Sequence, residues 1–210
     1  QSQKMIDGLL ANLLYPLFLT YQYVIAFIAI FFFASFPAVV RILLKGTKSI
    51  TVYTELFAFL SKIPLGKTVF MVIVNLFAPY TGSISAVVDE LTVEKCKVSM
   101  KDRPWLRNPF KCVHAVAMVN LGEMASGIAF ISFMQHYKGI KGIPQRIETQ
   151  FLKKARGPLT TTAVIPIELI KEKADTEEFE MAIKCEVMNR KREVVSVVTV
   201  YWNIKNKNTK

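Results

Sequence analysis

The stretch RNPFKCVHAVAMVNLGEMASG, residues 107–127, decides how the rest of the chain reads. From Cys112 to Tyr137 the chain carries one formal charge, Glu123, with His114 and His136 near the two ends. The remainder is mostly Ala, Val, Met, Leu, Ile, Phe and Gly. Length and composition predict a helix over about 114–134. A helix with almost no polar side must be enclosed on more than one side. Its small residues, Gly122, Ser126 and Gly127 among them, allow other backbone to come close. An unpaired carboxylate taken out of water is costly or shifts its pKa. Glu123 therefore marks a place where burial is offset by a partner or by use. His136 reads as a cation at the helix C-terminus.

The flanking segments alternate. SISAVVDEL, residues 83–91, suggests a strand, and CKVSM turns Cys96, Val98 and Met100 inward against Lys97 and Ser99. That is the period of a half-buried strand. KDRPWLRNP is a polar loop before the helix. After it, IPQRIETQFLKKA and PLTTTAVIPIELI are rich in strand formers. FEMAIKCEV sets Phe179, Met181, Ile183, Cys185 and Val187 on one face, and MNRKRE turns into VVSVVTVYWNI. Two strands, a long helix and four further strands predict an α+β fold, with one helix on an antiparallel sheet.

The first third is different. No charged residue occurs from residue 8 to residue 40, whereas a helix needs only about 20 apolar residues to cross a bilayer. Pro16 and Pro37 bracket a predicted transmembrane helix over about 17–36, with Tyr15, Tyr21 and Tyr23 toward one end; a signal peptide, whose apolar region would be shorter, and a buried soluble helix are the other readings. Arg41, Lys45 and Lys48 follow and put that side on the cytosolic or matrix face. Residues 49–79 read as one or two helices. Residues 68–88 are again uncharged, but Pro79, Thr81 and Gly82 break the run, so it reads as a buried or membrane-surface helix. The predicted organisation is a membrane anchor over 1–48, a helical connector over 49–78 and the α+β domain over 79–210, with a frayed tail.

With 27 Lys and Arg against 16 Asp and Glu, the formal charge of +11 favours anionic partners. Nucleic acid is a poor candidate: no nucleic-acid motif occurs, and the aromatics lie in oily runs rather than among the basic residues. Cys96, Cys112 and Cys185 are widely spaced and form no CxxC pair, which argues against a zinc site or disulfide framework.

Asn108, His114 and Glu123 lie six and then nine positions apart. In this pattern the sequence resembles the hotdog-fold thioesterases of the phenylacetyl-CoA type, and HAVAMVNLGEMASG with KKARGPLT is similar to a thioesterase-like branch of that superfamily. The resemblance covers about 79–204. It implies a hotdog fold, a long central helix wrapped by an antiparallel sheet. It also implies a site in which Glu123 is the base or nucleophile, the Ala115 N–H binds the developing oxyanion, and Asn108 orients water or substrate. His114 would shape the loop and hydrogen-bond the thioester. Coenzyme A enters as part of the acyl-CoA substrate, with no separate cofactor and no metal. Lys153, Lys154 and Arg156, with Arg103, Arg107 and Lys111, are candidate contacts for its phosphates. The resemblance departs at one point: glycine usually follows the His, and here Ala115 and Val116 narrow the approach.

Helix geometry adds an expectation. Nine residues rotate by about 900° and rise about 13 Å, so His114 and Glu123 point to opposite sides of one helix. They can meet across a twofold interface, as sites in that family are shared between two hotdog units. Alternatives stay open for each residue: a structural carboxylate paired with backbone or with Asn120 of a second copy, a turn residue at Asn108, and a helix-entry residue at His114. Two functions follow. One is a membrane-anchored acyl-CoA thioesterase acting on fatty acyl thioesters. The other is an inactive hotdog subunit of a membrane complex, placed in the mitochondrial inner membrane.

Overall fold

The computed structural model describes residues 22–24, 27, 52–137, 139–173 and 175–206. The chain divides into two compact units, Gln1–Lys45 and Gly46–Lys210. In the first, Gln22, Tyr23, Val24 and Phe27 are helical. The remainder of the predicted membrane helix, its basic flank and the chain end after 206 lie outside the described residues.

The second unit begins with two helices, α1 (Val52–Leu60) and α2 (Gly66–Phe77). They form a hairpin closed by Phe57 and Phe70, whose rings meet edge to face at 5.2 Å. Gly66 is required at the bend, because a Cβ there would lie 1.7 Å from the Leu60 carbonyl oxygen. Strands β1 (Val87–Leu91) and β2 (Lys95–Met100) follow, then the central helix α3 (Ala115–His136). After it come β3 (Ile140–Phe151), β4 (Leu159–Val164), a short helix α4 (Ile167–Glu172), β5 (Glu178–Asn189) and β6 (Val194–Asn206). The six strands form one antiparallel sheet in the order β1-β2-β4-β5-β6-β3. The sheet curves round α3, which is the α+β hotdog arrangement that the sequence implies.

Two expectations need correction. Thr81–Ile84 is a 3-10 turn, and the strand expected from residue 83 starts only at Val87. PLTTTAVIPIELI is not one strand: β4 stops at Val164, and IELI opens α4. A short apolar run cannot be sorted into strand or helix by periodicity alone.

The alternation in FEMAIKCEV is real. Met181, Ile183, Cys185 and Val187 are all buried on the concave face. α3 meets that face through its small residues. A Cβ on Gly122 would come within 2.6 Å of Val198. One helical turn later, Ser126 Oγ accepts a 2.7 Å hydrogen bond from the buried Trp202 indole N–H. Another turn on, Phe130 lies 4.4 Å from the Trp202 ring. The helix is long and apolar enough to cross a membrane by length and composition, but it is the core of this fold, mostly buried by the sheet and by α1. At its far end the Gln135 side-chain oxygen accepts from the Tyr53 N–H at the start of α1.

α3 does not cover the whole sheet. Ile147, Thr149 and Phe151 of β3 pair with Val200, Val198 and Ser196 of β6. Paired residues point to the same side, so these β3 side chains face the concave side. Their β6 partners are buried, whereas Ile147 and Phe151 remain exposed. Beside them runs the one side of α3 that the fold leaves half-open, Val119, Glu123, Gly127 and Ile131. A trough therefore lies between α3 and the outer strand β3.

Candidate functional site

The site is organised by the entry to α3. His114 is the N-cap, in extended conformation (φ −62°, ψ 140°), and its Nδ1 accepts from the Val116 N–H at 3.2 Å. An accepting Nδ1 leaves the proton of a neutral imidazole on Nε2, so His114 presents a donor outward. The His114 N–H donates to the Leu106 carbonyl at 2.7 Å, and the His114 carbonyl accepts from Ala117. The Ala115 N–H, first of the helix, has no partner among the described residues. Free N–H groups and the dipole make such a terminus receptive to negative charge.

The loop before it is held by Asn108. Its Oδ1 accepts from the Phe110 and Cys112 N–H groups at 3.0 and 3.2 Å. The Asn108 side-chain oxygen thus shapes the turn, which leaves its NH2 group as the atom able to meet a ligand. Asp102 ties the loop to the strand side: it accepts from Arg107 Nε at 2.7 Å and from the Gly157 N–H at 2.8 Å. The Arg107 hydrogen bond is the main cause that holds the Asp102 carboxyl below its usual range, and the Gly157 contact adds to it.

Asn108, Ala115, Lys153 and Lys154 line one cavity of about 410 Å³, whose apolar walls include Phe110, Met118, Phe151 and Leu152. Two stretches remote in sequence, 108–118 and 151–155, are therefore brought together. Lys153 is half committed, since its ammonium lies 3.1 Å from Glu193; Lys154 and Arg156 have no ion pair among the described residues. Arg156 is exposed but outside the cavity lining. Arg107 is taken up by Asp102 and Arg103 by the Trp105 ring, 5.3 Å away. Lys111 is exposed in the loop, in left-handed conformation at φ 56°. His114 opens on a neighbouring cavity with Tyr80, Trp105 and Asn120. His136 is exposed in the last turn of α3.

Glu123 is not in either cavity. It lies two turns along α3, about 12 Å from Ala115 along the axis. It is half-buried on the open side of the helix and makes no hydrogen bond or ion pair among the described residues. Burial raises its carboxyl above the ordinary range. Its charge reaches Cys185 on β5, whose thiol burial and, to a lesser degree, Glu123 push up to about 12. Asn120 does not pair with Glu123 within the chain; its Nδ2 points to the Tyr80 carbonyl, 3.5 Å away. Further along the same side of α3, Ile131 lines a cavity of about 610 Å³ with Met134, Ile140 and Ile143. Reasoning from sequence did not find this trough or cavity, because both arise from residues on β3 that are remote from α3 in the chain. Among the described residues no group of His, Cys, Asp or Glu could hold a metal ion.

The family match takes in every residue of this arrangement: residues 66–204 match the family described as a domain of unknown function, DUF4442. The chain belongs to that family. The DUF4442 match begins at Gly66 and so includes α2. No curated protein matches the sequence. Solved structures are similar in fold. A structural-genomics protein, APC5556, superposes with a TM-score of 0.61 at 19% identity, covering 73% of this chain and 98% of that one. A protein of unknown function from Pseudomonas aeruginosa, described as a probable thioesterase, gives 0.54 at 15%, covering 61% and 87%. A thioesterase enzyme from Staphylococcus aureus gives 0.50 at 17%, covering 60% and 98%. At these identities the likeness establishes the hotdog fold of this DUF4442 chain and no more.

Proposed function

We propose that this DUF4442 chain is an acyl-CoA thioesterase, anchored to an intracellular membrane by its N-terminal segment and working as a dimer. The observation that carries this reading is the shared cavity of Asn108, Ala115, Lys153 and Lys154 at the free N-terminus of α3, with Glu123 unpaired on the open side of the same helix. A thioester carbonyl seated against the Ala115 N–H gains an oxyanion donor. The acyl chain has apolar walls in Phe110, Met118 and Phe151, and Lys154 stands where coenzyme A phosphates would enter. Glu123 cannot reach this carbonyl within one chain. A second copy set antiparallel across the trough brings its Glu123 to the first copy's Ala115.

The chemistry then balances. Glu123 takes a proton from water as the water oxygen bonds to the thioester carbon. The tetrahedral oxyanion rests on the Ala115 N–H. Collapse expels the coenzyme A thiolate, which takes up the proton, and leaves the fatty acid. A carboxylate raised by burial is the stronger base near neutral pH.

The test is turnover of short, medium and long acyl-CoAs by the detergent-solubilised full chain. Glu123→Gln should lower the rate by roughly 10² or more without loss of fold. One observation favours a second reading, an inactive subunit of a membrane complex: the exposed side chain of Val116 stands where the resembled family has glycine. Wild type without turnover on any chain length, recovered in a large assembly after mild extraction, would establish that reading instead.

A further inference from the structure

α2 has two apolar faces. Phe70, Met71 and Val74 are buried against the fold. The opposite face is uncharged and largely apolar as well: beside the exposed Thr68, Val72, Leu76 and Phe77 are 55%, 74% and 77% exposed, and Tyr80 just beyond is 71% exposed. A helix facing water normally carries charge on that side. Here no charged residue occurs from 68 to 88. At 12 residues α2 is about 18 Å long, too short to cross a bilayer.

The border of this face is cationic and aromatic. Val72 and Asn75 share a cavity of about 350 Å³ with Lys101 and Arg103. Neither cation has a carboxylate partner among the described residues. Arg103 stacks over Trp105, which is 67% exposed and lines the next cavity with Tyr80 and His114. Apolar residues flanked by Trp, Tyr and unpaired Lys and Arg are the components of a surface that rests in the headgroup layer of a membrane.

We infer that the outer face of α2, with Tyr80 and Trp105, lies in the interfacial layer of an anionic phospholipid bilayer, with Lys101 and Arg103 against headgroup phosphates. The inference rests on the membrane reading above and goes beyond it, because it puts the folded domain itself on the lipid. The uncharged run at 8–40 ends only twelve positions before α1 starts at Val52, so an anchored chain holds this unit within reach of the bilayer. The cavity at His114 then opens at the membrane surface, where fatty acyl thioesters partition.

The protein carries its own probe. Of its two tryptophans, Trp202 is 5% exposed in the core and Trp105 is open. The full chain is reconstituted in vesicles of neutral lipid, or of neutral lipid with phosphatidylglycerol, and quenching by brominated acyl chains is compared with quenching by aqueous iodide. Trp202→Phe isolates the Trp105 signal. Brominated lipid should quench Trp105 in anionic vesicles, and iodide should not. One basic contact at an anionic surface is worth about a fivefold change in occupancy. Lys101→Gln with Arg103→Gln should therefore return iodide access roughly tenfold or more. Leu76→Asp should do so even in anionic vesicles, with far-ultraviolet circular dichroism unchanged. A chain that resists carbonate extraction yet keeps Trp105 open to iodide overturns the docked face and leaves the anchor standing. Lipid quenching in a chain that carbonate releases supports the docked face and refutes the anchor. Iodide access in a chain that carbonate also releases refutes both.

Discussion

Glu123 is held at a cost. Its carboxyl has no partner among the described residues, and burial raises its pKa. The sign of the linkage follows. A raised folded-state pKa gives stability that is complete below the unfolded value, about 4.3, and lost as pH rises through the folded value. Glu123→Gln should therefore raise the melting temperature of the isolated chain at pH 7 and change it little at pH 4. Thermal unfolding across that range checks it, and a destabilised variant at pH 7 would mean the carboxylate has a partner. Asp102 behaves in the opposite way. Its Arg107 and Gly157 contacts lower its pKa, so they stabilise above about pH 4 and fade as pH falls through the depressed value. Asp102→Asn should lower the melting temperature at pH 7, and the two melting curves should converge as pH falls through the depressed value.

At the scale of elements, α3 and β5 were legible because their patterns are long. Twenty-two residues of nearly unbroken apolar sequence and the clean alternation of FEMAIKCEV leave few alternatives. α4 was not legible. IELI offers the same apolar residues to a strand or a helix turn, and only its position after β4 decides. Site residues divide in the same way. Asn108, His114 and Glu123 stand out as candidates because spacing along one segment singles them out. That Lys153 and Lys154 share a cavity with Asn108, while Arg107 is lost to Asp102, depends on tertiary contacts with no local trace. The outer strand β3 has the clearest consequence. Its apolar concave residues Ile147 and Phe151 are exposed, and among the described residues no strand lies beside its outer edge. An edge of this kind invites pairing, and a charge placed on it discourages pairing. Ile147→Lys should leave the fold intact by circular dichroism, shift the detergent-solubilised protein toward monomer in analytical ultracentrifugation, and abolish turnover. A dimer that survives this change would put the interface elsewhere.

At the scale of the whole molecule, the proposed thioesterase requires two copies, since the proposed oxyanion donor, Ala115, and the proposed base, Glu123, lie on one helix too far apart to share a carbonyl. One substitution removes the donor cleanly. Ala115 is the first helical residue, where proline is favoured because its N–H is not used by the helix. His114 already has the extended conformation that a following proline demands. Ala115→Pro should therefore keep α3 and lower turnover by about 10²–10³, the cost of an oxyanion donor. The most direct measurement pairs this chain with Glu123→Gln in a purified mixed dimer carrying two different tags. Each homodimer should be inactive. In the mixed dimer one site joins an intact Ala115 N–H to an intact Glu123 from the other chain, and the second site carries both lesions. Two sites that act independently should then give about half the wild-type rate. A mixed dimer that is folded, paired and as inactive as its parents would contradict it, since each site would then be built within a single chain.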